Sequence, residues 1–321
     1  MTQSARQPLP AETPLFIVLN ASSGRHEGGE VRQTIERVLG DAGRRFTIFE
    51  AINGSELPDQ ARAALAQARQ QHGAVIAAGG DGTLNAVSNL VLGSGVPFGI
   101  LPQGTFNYFG RSYGIPQDTE HACRCLLDAV IEPVQVGLLN GKVFLVNASL
   151  GLYPTLLEDR EAWKQRYGRS RLVALWSALA TLFRAHRQFR VQLETSGQLR
   201  HLRTQTIVVG NNALQLEHLG IAERDALQSK QLVAMTARPM GTLALYGLVL
   251  RGLLSRLGDA EQVSSFAFQR MRVRLGKSGR KVKVAMDGEI SWMYSPLLFQ
   301  VADQCLPLLV PRDESLREHD A

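Results

Sequence analysis

Cysteine is nearly absent from this chain: Cys123, Cys125 and Cys305 are the only three in 321 residues. Cys123 and Cys125 form one C-x-C with no second pair, so the spacing of a zinc site is missing. A sparse, odd set reads as free thiols in a reducing cytoplasm. Long apolar runs are lacking too. No stretch of about 18 apolar residues occurs, so no transmembrane helix is expected. The stretch up to Pro14 is polar, contains Pro8 and Pro10, and lacks the apolar core of a signal peptide. Residues 1–13 and 312–321 are expected to be flexible tails. Aromatics are not interleaved with the basic residues, which argues against a nucleic-acid partner.

What is present is an ordinary globular balance, 45% hydrophobic and 20% charged. The length suits two domains. A net charge of +6 and a pI of about 9.5 favour an anionic partner, whether nucleotide, nucleic acid or anionic membrane surface, without choosing among them. The oligomeric state is not legible.

The most informative stretch is Gly79-Gly80-Asp81-Gly82-Thr83. The short apolar run Ala74–Ala78 before it reads as a buried strand. After it, Leu84, Val87, Leu90 and Val91 fall on one helical face. The glycines therefore sit on a strand-to-helix turn, where they permit close approach of a ligand and unusual dihedrals. Amides at a helix start favour phosphate. Asp81 puts a carboxylate in the same turn, so a cation shared between carboxylate and phosphate is expected, with Asp81 as the metal ligand.

In chain order, Leu15–Leu19 reads as a strand, followed by a polar turn from Asn20 to Gly24. A helix marked by Val31, Ile35, Val38 and Leu39 ends at Gly43. Phe46–Phe49 is a strand, and Ser55 is expected to cap a helix carrying Leu57, Ala61, Ala64, Leu65 and Ala68. Phe98–Leu101 is another strand, and Asp118 starts a helix running to Val130. Alternating strands and helices predict a parallel-sheet α/β domain at residues 14–133. Its ligands would sit at the carboxyl ends of the strands, where the turns at Asn20–Gly24, Gly79–Thr83 and Gly104–Asn107 arrive.

From Val134 the pattern becomes short strands: Val134–Leu139 and Lys142–Val146 around Asn140-Gly141, Phe189–Glu194, His201–Val209, Gln231–Ala237, Phe266–Leu275 and Lys281–Met286. This predicts a mostly antiparallel β-sandwich at residues 134–301. The apolar run Leu306–Val310, within residues 302–311, is a candidate to complete the first domain. Two apolar segments, Ser170–Arg187 and Leu243–Leu257, read as core helices, as walls of a lipid-binding cleft or as a membrane-facing ridge.

Four motifs stand in order: Asn20-x-x-Ser23-Gly24, Gly79-Gly80-Asp81-Gly82-Thr83-x-Asn85, Pro102-x-Gly104-Thr105-x-Asn107 and Asp287-Gly288-Glu289. Asn147-x-x-x-Gly151 and the run from Gly168 to Leu172 are also similar. Together the chain resembles the diacylglycerol kinase catalytic domain family of bacterial lipid kinases, related to sphingosine kinases and distantly to NAD kinases.

The resemblance implies an α/β nucleotide-binding domain joined to a β-sandwich, with the site in the cleft between them. It also implies ATP- and Mg²⁺-dependent phosphorylation of a lipid hydroxyl, diacylglycerol-like or sphingoid. Asn20, Ser23, Gly24, Gly79, Gly80, Asp81, Gly82, Thr83, Thr105 and Asn107 would hold the nucleotide. Asp287 would be the base, supported by Glu289. A cytoplasmic protein is implied, with peripheral contact at the inner membrane face left open.

Three departures stand out. Ala21 replaces the usual Pro, Tyr108 replaces an Asp, and Ser229-Lys230 replace an Asp-Gly near a structural Mg²⁺ site. On GGDGT alone an NAD kinase competes. Tyr108 and Ser229-Lys230 motivate a non-catalytic lipid or nucleotide sensor.

Overall fold

The computed structural model describes residues 6–22, 28–104, 107–151, 154, 189–195, 197–238 and 263–313. The two apolar segments at 170–187 and 243–257, and the run from Gly168, lie outside the described residues. The chain divides into two units, Met1–Val136 with Ala302–Ala321, and Gly137–Val301.

In chain order the first unit holds β1 (Gln7–Pro8), β2 (Leu15–Asn20), α1 (Gly28–Asp41), β3 (Phe46–Ala51), α2 (Leu57–Gln70) and β4 (Ala74–Gly79). Then come α3 (Asp81–Val91), β5 (Phe98–Pro102), α4 (Tyr108–Ser112), α5 (Thr119–Leu127) and β6 (Ala129–Val134). The second unit carries β7 (Gly137–Leu139), β8 (Lys142–Phe144), β9 (Asn147–Gly151), β10 (Phe189–Thr195), β11 (Gln198–Thr204) and β12 (Thr206–Gly210). Helix α6 (Ala213–His218), a 3-10 turn (Ala222–Ser229), β13 (Leu232–Ala237), β14 (Val263–Phe268), β15 (Arg270–Leu275), β16 (Lys281–Met286), β17 (Glu289–Tyr294) and β18 (Leu297–Val301) follow. The last strand, β19 (Leu306–Pro311), returns to the first unit.

The first unit is a seven-stranded sheet in the order β1-β6-β19-β5-β4-β2-β3. Strands β3, β2, β4 and β5 are parallel. They are the α/β core that the sequence pattern predicts, with β4 and the Leu15–Leu19 stretch of β2 apolar and buried because both faces are covered. Leu15, Ile17, Leu19, Ile35, Leu39, Ile76 and Ala78 meet in one buried cluster with Ala122 and Leu126 of α5. Strand β19 lies between β5 and β6, parallel to the first at Leu308 and antiparallel to the second over six residues.

Several expectations are corrected here. Residues 7–9 are not part of a loose tail: β1 pairs with β6, and the Leu9 N–H donates to the Ala129 carbonyl at 2.9 Å. An outermost strand tolerates proline because one side needs no ladder donor. Val130 belongs to β6, since α5 ends at Leu127. Ser55 does not cap α2. The cap is Glu56, and the Ser55 hydroxyl instead donates to Asn53 Oδ1 at 2.5 Å. Asp118 does cap α5, accepting from the His121 N–H at 2.9 Å.

The second unit stacks two six-stranded antiparallel sheets, β11-β10-β15-β18-β7-β8 and β14-β13-β12-β9-β16-β17. Residues from both sheets, including Leu139, Leu150, Val191, Val209, Val273, Val284 and Phe299, share one core. Three runs that read as single strands are each divided. Val134 ends β6 and Gly137 begins β7, in different sheets. His201–Val209 breaks at Gln205, and Phe266–Leu275 breaks at Gln269. At the last two points the chain crosses from one sheet of the sandwich to the other, a corner that an apolar pattern hides. Thr204 stitches the first corner, its hydroxyl 2.7 Å from the carbonyls of Thr206 and Ala237. Strands β17 and β18 are absent from the sequence reading. Among the described residues no helix is long and apolar enough to cross a membrane.

Candidate active site

Three turns meet at the carboxyl edge of the parallel strands. Asn20, the last residue of β2, donates from Nδ2 to Thr83 Oγ1 at 2.9 Å. Its Oδ1 accepts from the Ser22 backbone and hydroxyl at 3.2 and 2.7 Å, closing the first turn. Thr83 is buried in α3, so one hydrogen bond ties the β2 turn to the β4 turn. Ser23, Gly24 and Thr105 lie outside the described residues.

The glycines act by proximity. Gly80 is extended at φ −79° and ψ −178°, and Gly82 is helical. None of Gly79, Gly80, Gly82 and Gly104 has positive φ, so the unusual dihedrals expected of them are not used. Space is. A Cβ on Gly79 would lie 2.5 Å from Thr83 Oγ1, and one on Gly104 would lie 2.5 Å from Asn107 Oδ1 and 3.4 Å from the Gly80 Cα. The β4 and β5 turns thus run backbone against backbone. No side chain caps α3, since its N-cap is Gly80. Its first amides, with the positive end of the helix dipole, therefore point out of the turn as a phosphate cradle does. Asp81 is the first residue of that helix, where a carboxylate is favoured.

Asn107 is 2% exposed and sits at φ 44°. It binds its own turn: Oδ1 accepts from the Gly104 N–H at 3.1 Å, while Nδ2 donates to the Gly104 carbonyl at 2.8 Å and to Gln117 Oε1 at 2.5 Å. This gives Asn107 the job of shaping the third turn. Tyr108 begins α4 beside it.

In the second unit, Asp287-Gly288 is the two-residue turn of the β16–β17 hairpin, with both residues at positive φ, 47° and 87°. Across the hairpin, Lys281 and Lys283 place their ammonium groups 5.3 and 5.2 Å from the Trp292 ring centre. Asp287 is 9% exposed. Its Oδ2 accepts from the Leu145 N–H at 2.7 Å, and its Oδ1 from Val146 and Asn147 at 2.8 and 3.1 Å. In return its own N–H donates to the Asn147 carbonyl at 2.9 Å. Bonds of this charged kind contribute about 1.5–3 kcal/mol each. The carboxylate therefore pins the β8–β9 link to the β16–β17 turn. Glu289 is exposed at the start of β17.

The sequence reading missed the polar shell around this link. Asn211 donates from Nδ2 to the Leu145 carbonyl at 3.0 Å. Asn212 caps α6 by accepting from the Gln215 N–H at 2.9 Å. Asn147 Nδ2 donates to Gln215 Oε1 at 3.1 Å. The available signal was Gly210-Asn211-Asn212 directly after an apolar strand, a helix-start pattern. Ser229 and Lys230 are exposed, and Lys230 ends the 3-10 turn at φ 54°.

Residues 14–139 match the model of the diacylglycerol kinase catalytic domain. A diacylglycerol kinase from Bacillus subtilis is 36% identical over 104 residues, 32% of this chain and 34% of its own. One from Staphylococcus saprophyticus is 30% identical over 137 residues, covering 42% and 44%. An uncharacterized Synechocystis protein is 24% identical over 225 residues, covering 67% and 50%. The chain thus spans about half, or less, of the length of these curated relatives. A crystal structure of a diacylglycerol kinase from Bacillus anthracis superposes with a TM-score of 0.69 at 19% identity, covering 94% of this chain and 98% of that one. Both units therefore share that fold, and over residues 14–139, which hold the first three of the four motifs, the chain matches the diacylglycerol kinase catalytic domain family that the motifs imply.

Proposed function

We propose that the protein is a lipid kinase that transfers phosphate from ATP, with Mg²⁺, to the hydroxyl of a diacylglycerol-like or sphingoid lipid. The observation that carries this reading is the side-chain-free approach of Gly80 to Gly104 beside the uncapped start of α3, with Asp81 at its first residue. Among the described residues no cluster of three metal-binding side chains occurs. Mg²⁺ held with a nucleotide takes one or two carboxylates and completes its shell with phosphates and water, so Asp81 at a phosphate cradle fits it. Bound ATP and Mg²⁺ would supply the phosphoryl group and neutralise its charge.

The chain's own residues do the rest. The amides from Gly80 to Thr83 bind phosphate oxygens, Asn20 holds Thr83 in register, and Asn107 keeps the Gly104 turn open to the nucleotide. Asp287 orients the acceptor hydroxyl and takes its proton, with Glu289 supporting it. Phosphoryl transfer through a loose transition state needs little early proton removal, so orientation is the larger part of that task. A carboxylate fixed by three N–H donors is suited to it.

The test is transfer from radiolabelled ATP to diacylglycerol, a sphingoid base and NAD by the purified chain. Transfer to a lipid that is lost without Mg²⁺ is expected. Transfer to NAD alone would make it an NAD kinase, and nucleotide binding without turnover on any acceptor would make it a sensor.

A further inference from the structure

The outer face of the β11-β10-β15 sheet carries an unneutralised cluster of cations. Residues directly opposite one another in a ladder share a face, and the register sets them in rungs. Arg190 faces Arg203. Gln192 lies between His201 and Arg274. Glu194 faces Arg272. On the last rung the charge is cancelled, because Arg272 Nη1 bonds Glu194 Oε2 at 3.1 Å. On the other two it is not. Among the described residues no carboxylate pairs with Arg190, Arg203 or Arg274. These side chains, with Gln192, His201 and Gly276, line a cavity of about 530 Å³.

Like charges set directly opposite on a sheet destabilise it. Here the three arginines line one concavity with Val191 and Leu202, and no residue lining it is acidic. Concave, low-dielectric walls focus such a field onto an anion. Guanidinium forks match phosphate oxygens two at a time. His201 and Gln192 add hydrogen-bonding groups between the arginines. The groove is on the opposite sheet of the sandwich from the hairpin that carries Asp287, and it uses none of the kinase motif residues.

We propose that this groove binds a phosphate-bearing anion, either a small soluble phosphate or the headgroup of an anionic lipid. The inference does not depend on the kinase reading.

The test uses the full chain, in a phosphate-free buffer at fixed ionic strength so that general screening is constant. One arm follows the thermal midpoint as pyrophosphate or monomeric dihexanoyl phosphatidate is added. The other measures sedimentation with phosphatidylglycerol–phosphatidylcholine vesicles against phosphatidylcholine vesicles. Anything that binds only the folded state raises the midpoint. The phosphate cradle at Gly80–Thr83 is intact in every variant, so differences between variants report the groove. Arg190→Gln with Arg203→Gln is expected to weaken binding about tenfold or more, while Arg272→Gln changes it less than about twofold because that arginine is already paired. Loss of the pyrophosphate response assigns a small phosphate, and loss confined to phosphatidate and the vesicles assigns a headgroup. The free double variant should melt no lower than wild type, since a repulsive pair is removed. If it fails to fold, Arg274→Gln carries the same test. Equal binding by wild type and the groove variant in both arms, or no binding by wild type in either, overturns the proposal.

Discussion

The two Asp-Gly turns, one in each unit, are both tight, yet they are made in opposite ways. At Gly79–Thr83 the glycines have ordinary dihedrals and serve by leaving room, and the Asp opens a helix. At Asp287-Gly288 there is room to spare, since a Cβ on Gly288 would meet nothing within 4 Å. That turn instead needs left-handed backbone, and its Asp is buried under three N–H donors. One turn is arranged to bring backbone close to backbone. The other is arranged around the protein's own backbone. The difference teaches that a Gly beside an Asp carries no fixed meaning until its φ and its neighbours are known.

The largest expected effect comes from Asp287→Asn. An amide nitrogen would face a backbone N–H, so stability should fall by about 2–4 kcal/mol, and lipid phosphorylation by about a hundredfold or more. Urea unfolding and turnover measured together check this. Lost turnover at unchanged stability would show that the clamp is not structural, and the contrast between the turns would fail.

The two glycine classes should then respond in opposite order. Gly79→Ala drives a Cβ into Thr83 and should cost about 1–3 kcal/mol by overpacking, and raise the KM for ATP. Gly79→Asn, being larger, should be worse. At Gly288 the alanine should cost about 1–2 kcal/mol of backbone strain, while Gly288→Asn should be milder because Asn tolerates left-handed geometry. Thermal melts of the four variants rank them, and the same ranking at both positions would erase the distinction.

Asn20→Ala is smaller again. It removes the bond to Thr83 and should cost about 0.5–1.5 kcal/mol, with a few-fold rise in the KM for ATP and little change at saturation. The least visible effect is on the thiols. Burial pushes Cys123 up to about 12 and Cys125 up to about 11, so at pH 8 neither offers much thiolate. Iodoacetamide and intact-mass measurement should add one label, at exposed Cys305. Extra labels in Gly79→Ala but not in Asp287→Asn would localise the damage to the first unit.

The legible parts of the fold were those set by local pattern. Ala74–Ala78 before three glycines fixes a strand, a turn and a helix start, and Asp118 before Thr119 fixes a cap. What was hidden depends on distant partners. Nothing near Gln205 or Gln269 marks a crossing between sheets, because both flanks alternate as a continuing strand would. The backbone donors of Leu145, Val146 and Asn147 lie about 140 residues from Asp287, and no spacing rule reaches that far. Asn107 is expected from its motif to help hold a nucleotide, and its bonds to Gly104 and Gln117, which shape its own turn, are not legible from that motif.

Strand β19 has a consequence for synthesis. The first sheet is completed by residues translated after the whole sandwich, so it cannot close while the chain is still emerging. Until residues 306–311 are released, β5 and β6 each have one open ladder edge and no partner between them. Exposed ladder edges invite pairing between chains. A fragment ending at Val136 would keep that gap permanently, and is expected to aggregate unless the β19 peptide is supplied in trans. A premature stop before residue 306 would act on the first unit, although it leaves Asn20, Gly79–Thr83, Gly104 and Asn107 of that unit in place.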